Sequence, residues 1–249
     1  MKNNQRLYRD VADQISLSIK NGQFMPGDRL PSERELASLM EVSRPTIREA
    51  MIALEIAGQI EVRGGAGIFI LEPNKETINL PSDIGPGPFE LIEARLHFEA
   101  EAAGLAAVRI SESELLLLRD ASEEMAVCVK RDESAEDADR RFHLIIASAT
   151  GNSVIHSTIE QLWLFREKMP MWKKLHDIIA QLEDKPGWTN DKKTLLDHQR
   201  ILNALRARNP QAARSAMRTH LEHVREALLV ASEHDVFTEV KSGVKTRVE

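Results

Sequence analysis

The chain has 249 residues, 42% of them hydrophobic, which is enough to bury the cores of one large or two ordinary domains. Nothing approaches the roughly 18 consecutive apolar residues of a membrane span, the polar start Met1-Lys2-Asn3-Asn4 has no signal-peptide pattern, and a single cysteine, Cys128, excludes an internal disulfide and fits a reducing cytoplasm. The net charge of −6 excludes a protein that coats nucleic acid indiscriminately, yet it is uneven: residues 1–70 hold nine basic and nine acidic side chains, so the whole deficit lies beyond them.

In chain order, Val11, Ile15 and Ile19 recur every four residues and predict an amphipathic helix over 7–21, stopped by Asn21-Gly22. After a turn at Met25-Pro26-Gly27-Asp28, Ser32-Glu33-Arg34-Glu35 reads as a capping box opening a short helix that buries Leu36 and Leu39. Glu41-Val42 then turns into Ser43-Arg44-Pro45-Thr46-Ile47-Arg48, the start of a helix running to about Ala57. Ser43 is a natural N-cap and Pro45 is tolerated in the first turn. Ile47, Met51 and Leu54 form the docking stripe, which leaves Arg44, Thr46 and Arg48 facing outward. A capped helix of this kind suits a DNA major groove. Gln59–Arg63 and Gly67–Leu71 flank Gly64-Gly65-Ala66 as a two-stranded ribbon, completing a winged helix-turn-helix over residues 1–72.

Residues 73–88 are rich in Pro and Gly and read as a linker. Beyond it the pattern is helical throughout: Phe89–Val108, a helix capped at Ser111, Glu133–Ala149, Ser153 to about Gln181 with a break or kink at Pro170, Asp191 to Arg208, and Pro210–Ser232. The fold class is therefore mainly α, a winged helix-turn-helix joined to an all-α antiparallel bundle over 89–233, with a polar tail over 234–249.

Within the bundle the helical faces sort the histidines. His143 follows Asp139 by four residues and shares its face, the one that carries Ile146. His198 shares a face with Ile201, Leu202 and Leu205, and His220 one with Met217, Val224 and Leu228. His223 falls on a polar face and reads as exposed. His198 lies 12 residues before Pro210 and His220 lies 10 after it, so an antiparallel hairpin turning at Asn209-Pro210 sets the two side chains level. Three inward imidazoles and a carboxylate make a candidate divalent-metal site. The competing reading is four separately satisfied core polar groups. Folding back at Thr150-Gly151-Asn152 sets His143 opposite Glu160–Trp163, so that Trp163, Arg166 and Trp172 are candidate walls of a cavity for a sugar acid. The bland alternative makes the tryptophans core or dimer contacts and Arg166 a surface charge. Arg95 is a second candidate carboxylate clamp, unless it merely pairs with Glu99 four residues on.

The stretches Gly27–Ala37 and Ser43–Ala50 resemble the DNA-binding domain of GntR-family bacterial regulators. Asp139-Arg140-Arg141-Phe142-His143, Asp197-His198-Gln199-Arg200-Ile201-Leu202 and Ala212–Leu221 resemble the FCD effector domain of the FadR subfamily. Gly87–Arg95 and Met169–His176 are most similar to its hexuronate-utilisation repressors. The resemblance implies operator contacts from Arg34, Arg44, Thr46 and Arg48 with Gly65 at the wing tip. It further implies a metal, zinc or nickel, on Asp139, His143, His198 and His220, and an effector carboxylate on Arg95. Pro45 stands where many members carry threonine, which removes a hydroxyl and an N–H from the phosphate contacts. The implied protein is a cytoplasmic homodimer, not an enzyme, that represses sugar-acid genes from a palindromic operator and is released by a hexuronate-like carboxylate. Two other readings are a metal-dependent hydrolase using an open coordination position and a regulator of another carboxylic acid.

Overall fold

The computed structural model describes residues 7–63, 66–72, 85–183 and 190–235. Most of the expected linker, the wing-tip Gly65 and the tail beyond 235 lie outside the described residues. In chain order the elements are α1 (Leu7–Lys20), α2 (Glu33–Leu39), α3 (Arg44–Ile56), β1 (Ile60–Arg63), β2 (Gly67–Ile70), α4 (Pro88–Ala107), α5 (Glu112–Lys130), α6 (Glu136–Ala149), α7 (Ser153–Lys168), α8 (Pro170–Glu183), α9 (Asn190–Arg206) and α10 (Pro210–Asp235). None is long and apolar enough to cross a membrane.

They gather into two compact units. The first contains α1–α3, the two strands, residues 169–179 of α8 and the end of α10 from Leu228; the second contains α4 from Glu90, α5–α7, α9 and α10 up to Ala227. In the first unit α3 is the central element, packed on α1, α2 and β1. Ile47 and Leu54 are wholly buried on it, each worth about 1.5–3 kcal/mol relative to exposure. The capping box forms as expected: Glu35 N–H donates to Ser32 Oγ, and Ser32 N–H donates to the Glu35 carboxylate at 2.8 Å. Leu39, expected inside, is 73% exposed, because the seven-residue α2 buries only Leu36. Gly58 ends α3 with a φ of +68°, a region that other residues enter at a cost. Strands β1 and β2 then pair antiparallel, with Ile60 opposite Ile70 and Arg63 opposite Gly67.

In the second unit α5 packs on α6 and α9, and α6 on α7. A second capping box, Ser111 with Glu114, opens α5. One boundary differs from the periodicity, and the break expected at Pro170 is present. Helix α6 starts at Glu136 and not at Glu133, since Asp132 takes a φ of +57° and breaks the helical path. The long segment after Ser153 is two helices, because Pro170 opens α8 as a first-turn proline while the residue before it is pushed off the helical region.

Candidate effector site and DNA-facing helix

Five helices of the second unit converge on one buried cluster. On α6, the four-residue spacing brings Asp139 and His143 together, with His143 Nε2 at 3.4 Å from Asp139 Oδ1. Helices α9 and α10 form the expected hairpin. Arg208 turns with a φ of +51°, and Asn209 Oδ1 accepts from Ala212 N–H at 3.0 Å to start α10. His198 and His220 therefore lie level, with ring centroids 4.4 Å apart. His198 Nε2 is 3.0 Å from Asp139 Oδ1, and the four ligating atoms of Asp139, His143, His198 and His220 all lie within 4.8 Å of one another. Donors around a tetrahedral zinc sit about 3.3 Å apart, given metal–ligand bonds near 2 Å. Small side-chain shifts close the difference.

Hydrogen bonding bears on what this cluster can hold. His198 Nδ1 lies 2.8 Å from the Thr194 carbonyl, the partner of an Nδ1–H, so Nε2 keeps its lone pair toward Asp139. His143 Nδ1 bonds Glu99 Oε2, which leaves its Nε2 inside as well. His143 Nε2 and His220 Nδ1 are buried with no hydrogen-bond partner. Buried imidazole nitrogens left without partners are costly, and a cation shared among three of them and a carboxylate relieves that cost. The residues present fit a divalent ion.

Charge in the cluster follows from burial and neighbours. Burial raises Glu99, but Arg95 and His143 outweigh it and hold the carboxyl at about 2. Asp139 is likewise pushed up by burial and pulled well below its usual range by His143 and His198. Burial lowers His143, yet Glu99 and Asp139 on either side raise it above the ordinary imidazole value. His220 is driven well below it by burial and by the neighbouring imidazoles.

The effector candidates separate. Trp163 packs against His143 with centroids 5.2 Å apart, as folding back at Gly151 requires. Arg95 is 1% exposed and lies over the Trp163 ring at 4.2 Å. Its Nε donates to Glu99 at 2.7 Å, while its Nη2 is buried and unpartnered. The structural pairing with Glu99 that the spacing allowed is present, and it uses only one of the guanidinium's donors. Arg166 also lies over Trp163, at 4.5 Å, but its terminal nitrogens meet Asp139 at 3.2 Å and Glu136 at 3.0 Å. Trp172, expected in the same cavity, is buried on α8 in the first unit. The Pro170 break separates it from α7. His223, expected in solvent, bonds Asp197 at 2.6 Å. Sequence reasoning named Glu99 only as a possible partner of Arg95 and did not foresee its contact with His143. Its only signal was an acidic side chain four residues from Arg95 on an alanine-rich inward face.

In the first unit, Ser43 caps α3 and its Oγ lies 2.8 Å from Thr46 Oγ1. Arg34 is exposed, and Arg44 has a 58% exposed side chain. Arg48 corrects the expectation of an outward residue. Its side chain is 8% exposed, with Nε donating to Glu33 at 2.9 Å and Nη2 to Glu233 at 2.8 Å. The run Ile47–Leu54 is buried without interruption, so α3 is enclosed on more than its apolar stripe. Other groups also hold it: Phe89 N–H donates to Glu49 at 2.8 Å, and Lys174 pairs with Glu55.

Comparison with known proteins adds the following. Residues 7–70 match the family described as bacterial regulatory proteins, gntR family, and residues 90–223 match the FCD domain. The chain is 39% identical over 239 residues to the Uxu operon transcriptional regulator of Escherichia coli K12, covering 93% of this chain and 90% of that protein. It is 34% identical over 236 residues to the Exu regulon transcriptional regulator of the same strain, covering 92% and 87%. Among solved structures it is similar to Streptococcus agalactiae GntR, at 27% identity and a TM-score of 0.46 over 88% of this chain and 99% of that one.

Proposed function

The chain belongs to the gntR family of bacterial regulatory proteins and carries an FCD domain, and from that premise we propose that it represses genes of hexuronate catabolism and leaves its operator when a sugar acid binds. It is a DNA-binding transcription regulator and not an enzyme, so the hydrolase reading is dropped. The observation that carries the effector half is the quartet of partly buried Asp139 and buried His143, His198 and His220 beside Arg95, whose Nη2 has no hydrogen-bond partner among the described residues. Hexuronate specificity is supported by the Uxu and Exu regulators among its relatives.

In this reading Asp139, His143, His198 and His220 would hold zinc or nickel, which would supply a Lewis acid for the oxygens of a sugar acid. Arg95 receives the carboxylate through its spare Nη2, and Trp163 supplies the apolar face beside it. Arg166 keeps Asp139 Oδ2 occupied, which leaves Oδ1 as that carboxylate's inward donor. On the DNA side the protein acts as a homodimer on a palindrome whose half-sites lie one helical turn apart. Arg34, Arg44 and Thr46 make the phosphate and base-edge contacts. Arg48 joins them once it leaves Glu33 and Glu233, and Gly65 approaches from the wing.

A thermal-shift screen of zinc-loaded protein against glucuronate, galacturonate, fructuronate, tagaturonate and the corresponding aldonates tests this. A ligand of the native state raises stability with the logarithm of its concentration, and it must weaken operator binding by the same factor that operator weakens it. If no uronate shifts the melting curve while another carboxylic acid does, the hexuronate assignment is wrong.

A further inference from the structure

We propose that Glu99 is the positioning residue of this metal site, fixing the ring of His143 so that Nε2, and not Nδ1, is the ligating atom; the inference rests on the quartet's being a metal site. The geometry is that of a relay across two helices. Glu99 on α4 is 2% exposed and divides its oxygens, Oε1 accepting from Arg95 Nε at 2.7 Å and Oε2 meeting His143 Nδ1. His143 is 1% exposed and has no other route to the same orientation, since its second nitrogen already faces Asp139.

Each member needs the next. A carboxylate this deeply buried stays ionised only with a cation beside it, and Arg95, itself 1% exposed, provides one on the side away from the histidine. An ionised Glu99 can only accept, so the Nδ1 of a neutral His143 must carry its proton, and the Nε2 lone pair then points among Asp139, His198 and His220. His198 reaches the same tautomer differently, through the Thr194 carbonyl of its own helix. Carboxylate partners of ligating imidazoles raise their basicity and fix their orientation, and removing one costs about 10–100-fold in metal affinity. Arg95 also lies over the Trp163 ring at 4.2 Å, which holds the guanidinium where its Nε grips Glu99 Oε1.

The test uses the full-length protein with Zn²⁺ or Co²⁺ as the probe. In Glu99→Gln the amide oxygen, or its NH₂, takes the place of the carboxylate oxygen at Nδ1. Competition with a chromophoric chelator is expected to give metal affinity reduced about 10–100-fold, and the Co²⁺ absorption bands shift. Glu99→Asp retains the charge and recovers part of the affinity. Wild-type affinity and an unchanged Co²⁺ spectrum in a folded Glu99→Gln protein overturn the role of Glu99. If His143→Ala abolishes binding in the same series, the metal site itself stands. Wild-type protein that takes up no ion overturns both. Should Glu99→Gln fail to fold, ¹⁵N-histidine spectra of zinc-loaded wild-type protein decide: a protonated Nδ1 on His143 supports the relay, and a protonated Nε2 overturns it.

Discussion

Arg48 is the side chain whose behaviour most directly tests how α3 reaches DNA. In this conformation it is tied to Glu33 and Glu233 with its side chain 8% exposed, so the proposed contact with DNA requires it to give those carboxylates up. Glu233 is 53% exposed, and an ion pair with one partner in solvent contributes about 0.2–1 kcal/mol. Glu233→Gln removes that competitor without removing Arg48. Operator affinity is then expected to rise by about 1.4- to 5-fold, the same energy expressed as a binding ratio. The free protein loses the same small amount, about 1–3 °C in Tm for a chain of this length. A gel-shift titration at fixed salt, run beside a thermal melt, reads both quantities. The fixed salt matters because phosphate contacts are themselves salt-dependent. Affinity that stays level or falls while the melt shows the expected loss refutes the competition, and Arg48 is then a structural residue of α3 and not a DNA contact.

Other expectations follow from the same geometry. Arg44→Ala costs about 1–3 kcal/mol of operator affinity with an unchanged melt, because the side chain is 58% exposed; an intact gel shift argues against this face of α3 as the reader. Arg48→Ala loses operator affinity and stability together, about 1–3 kcal/mol of the latter, since half-buried Glu33 loses its hydrogen-bonded cation and keeps only Arg44 at 4.0 Å. Chelator treatment of metal-loaded protein lowers Tm by about 5–10 °C if the ion was present at a hundred times its Kd, and re-addition restores it; a melt indifferent to chelator removes the metal site. Glu35 is held below the usual carboxylate value by the Ser32 hydroxyl and backbone N–H. A depressed folded pKa means its contribution is present above the ordinary value of about 4.3 and lost as pH falls through the folded one. Urea midpoints for Glu35→Gln should therefore lie below wild type at pH 7 and converge with it in acid, and a constant gap excludes the cap as the cause.

Much of the fold was legible because its signals are local. Ser32-x-x-Glu35, Ser111-x-x-Glu114, Gly58 and Pro170 each act on their own turn of backbone, and the structure obeys them. The juxtaposition of Asp139, His143, His198 and His220 was legible for a different reason. Once helices α9 and α10 are known to fold back at Asn209, residue spacing alone sets His198 beside His220, and Asp139 with His143 needs only the helical period. Trp172 lies beyond the reach of that argument, since counting residues back from a turn works along one helix and Pro170 starts another.

What sequence spacing could not supply is the neighbour that arrives from elsewhere in the chain. A helical wheel puts Arg48 on the same face as Arg44, and that much is right. It cannot say that Glu233, 185 residues away, occupies that side of α3.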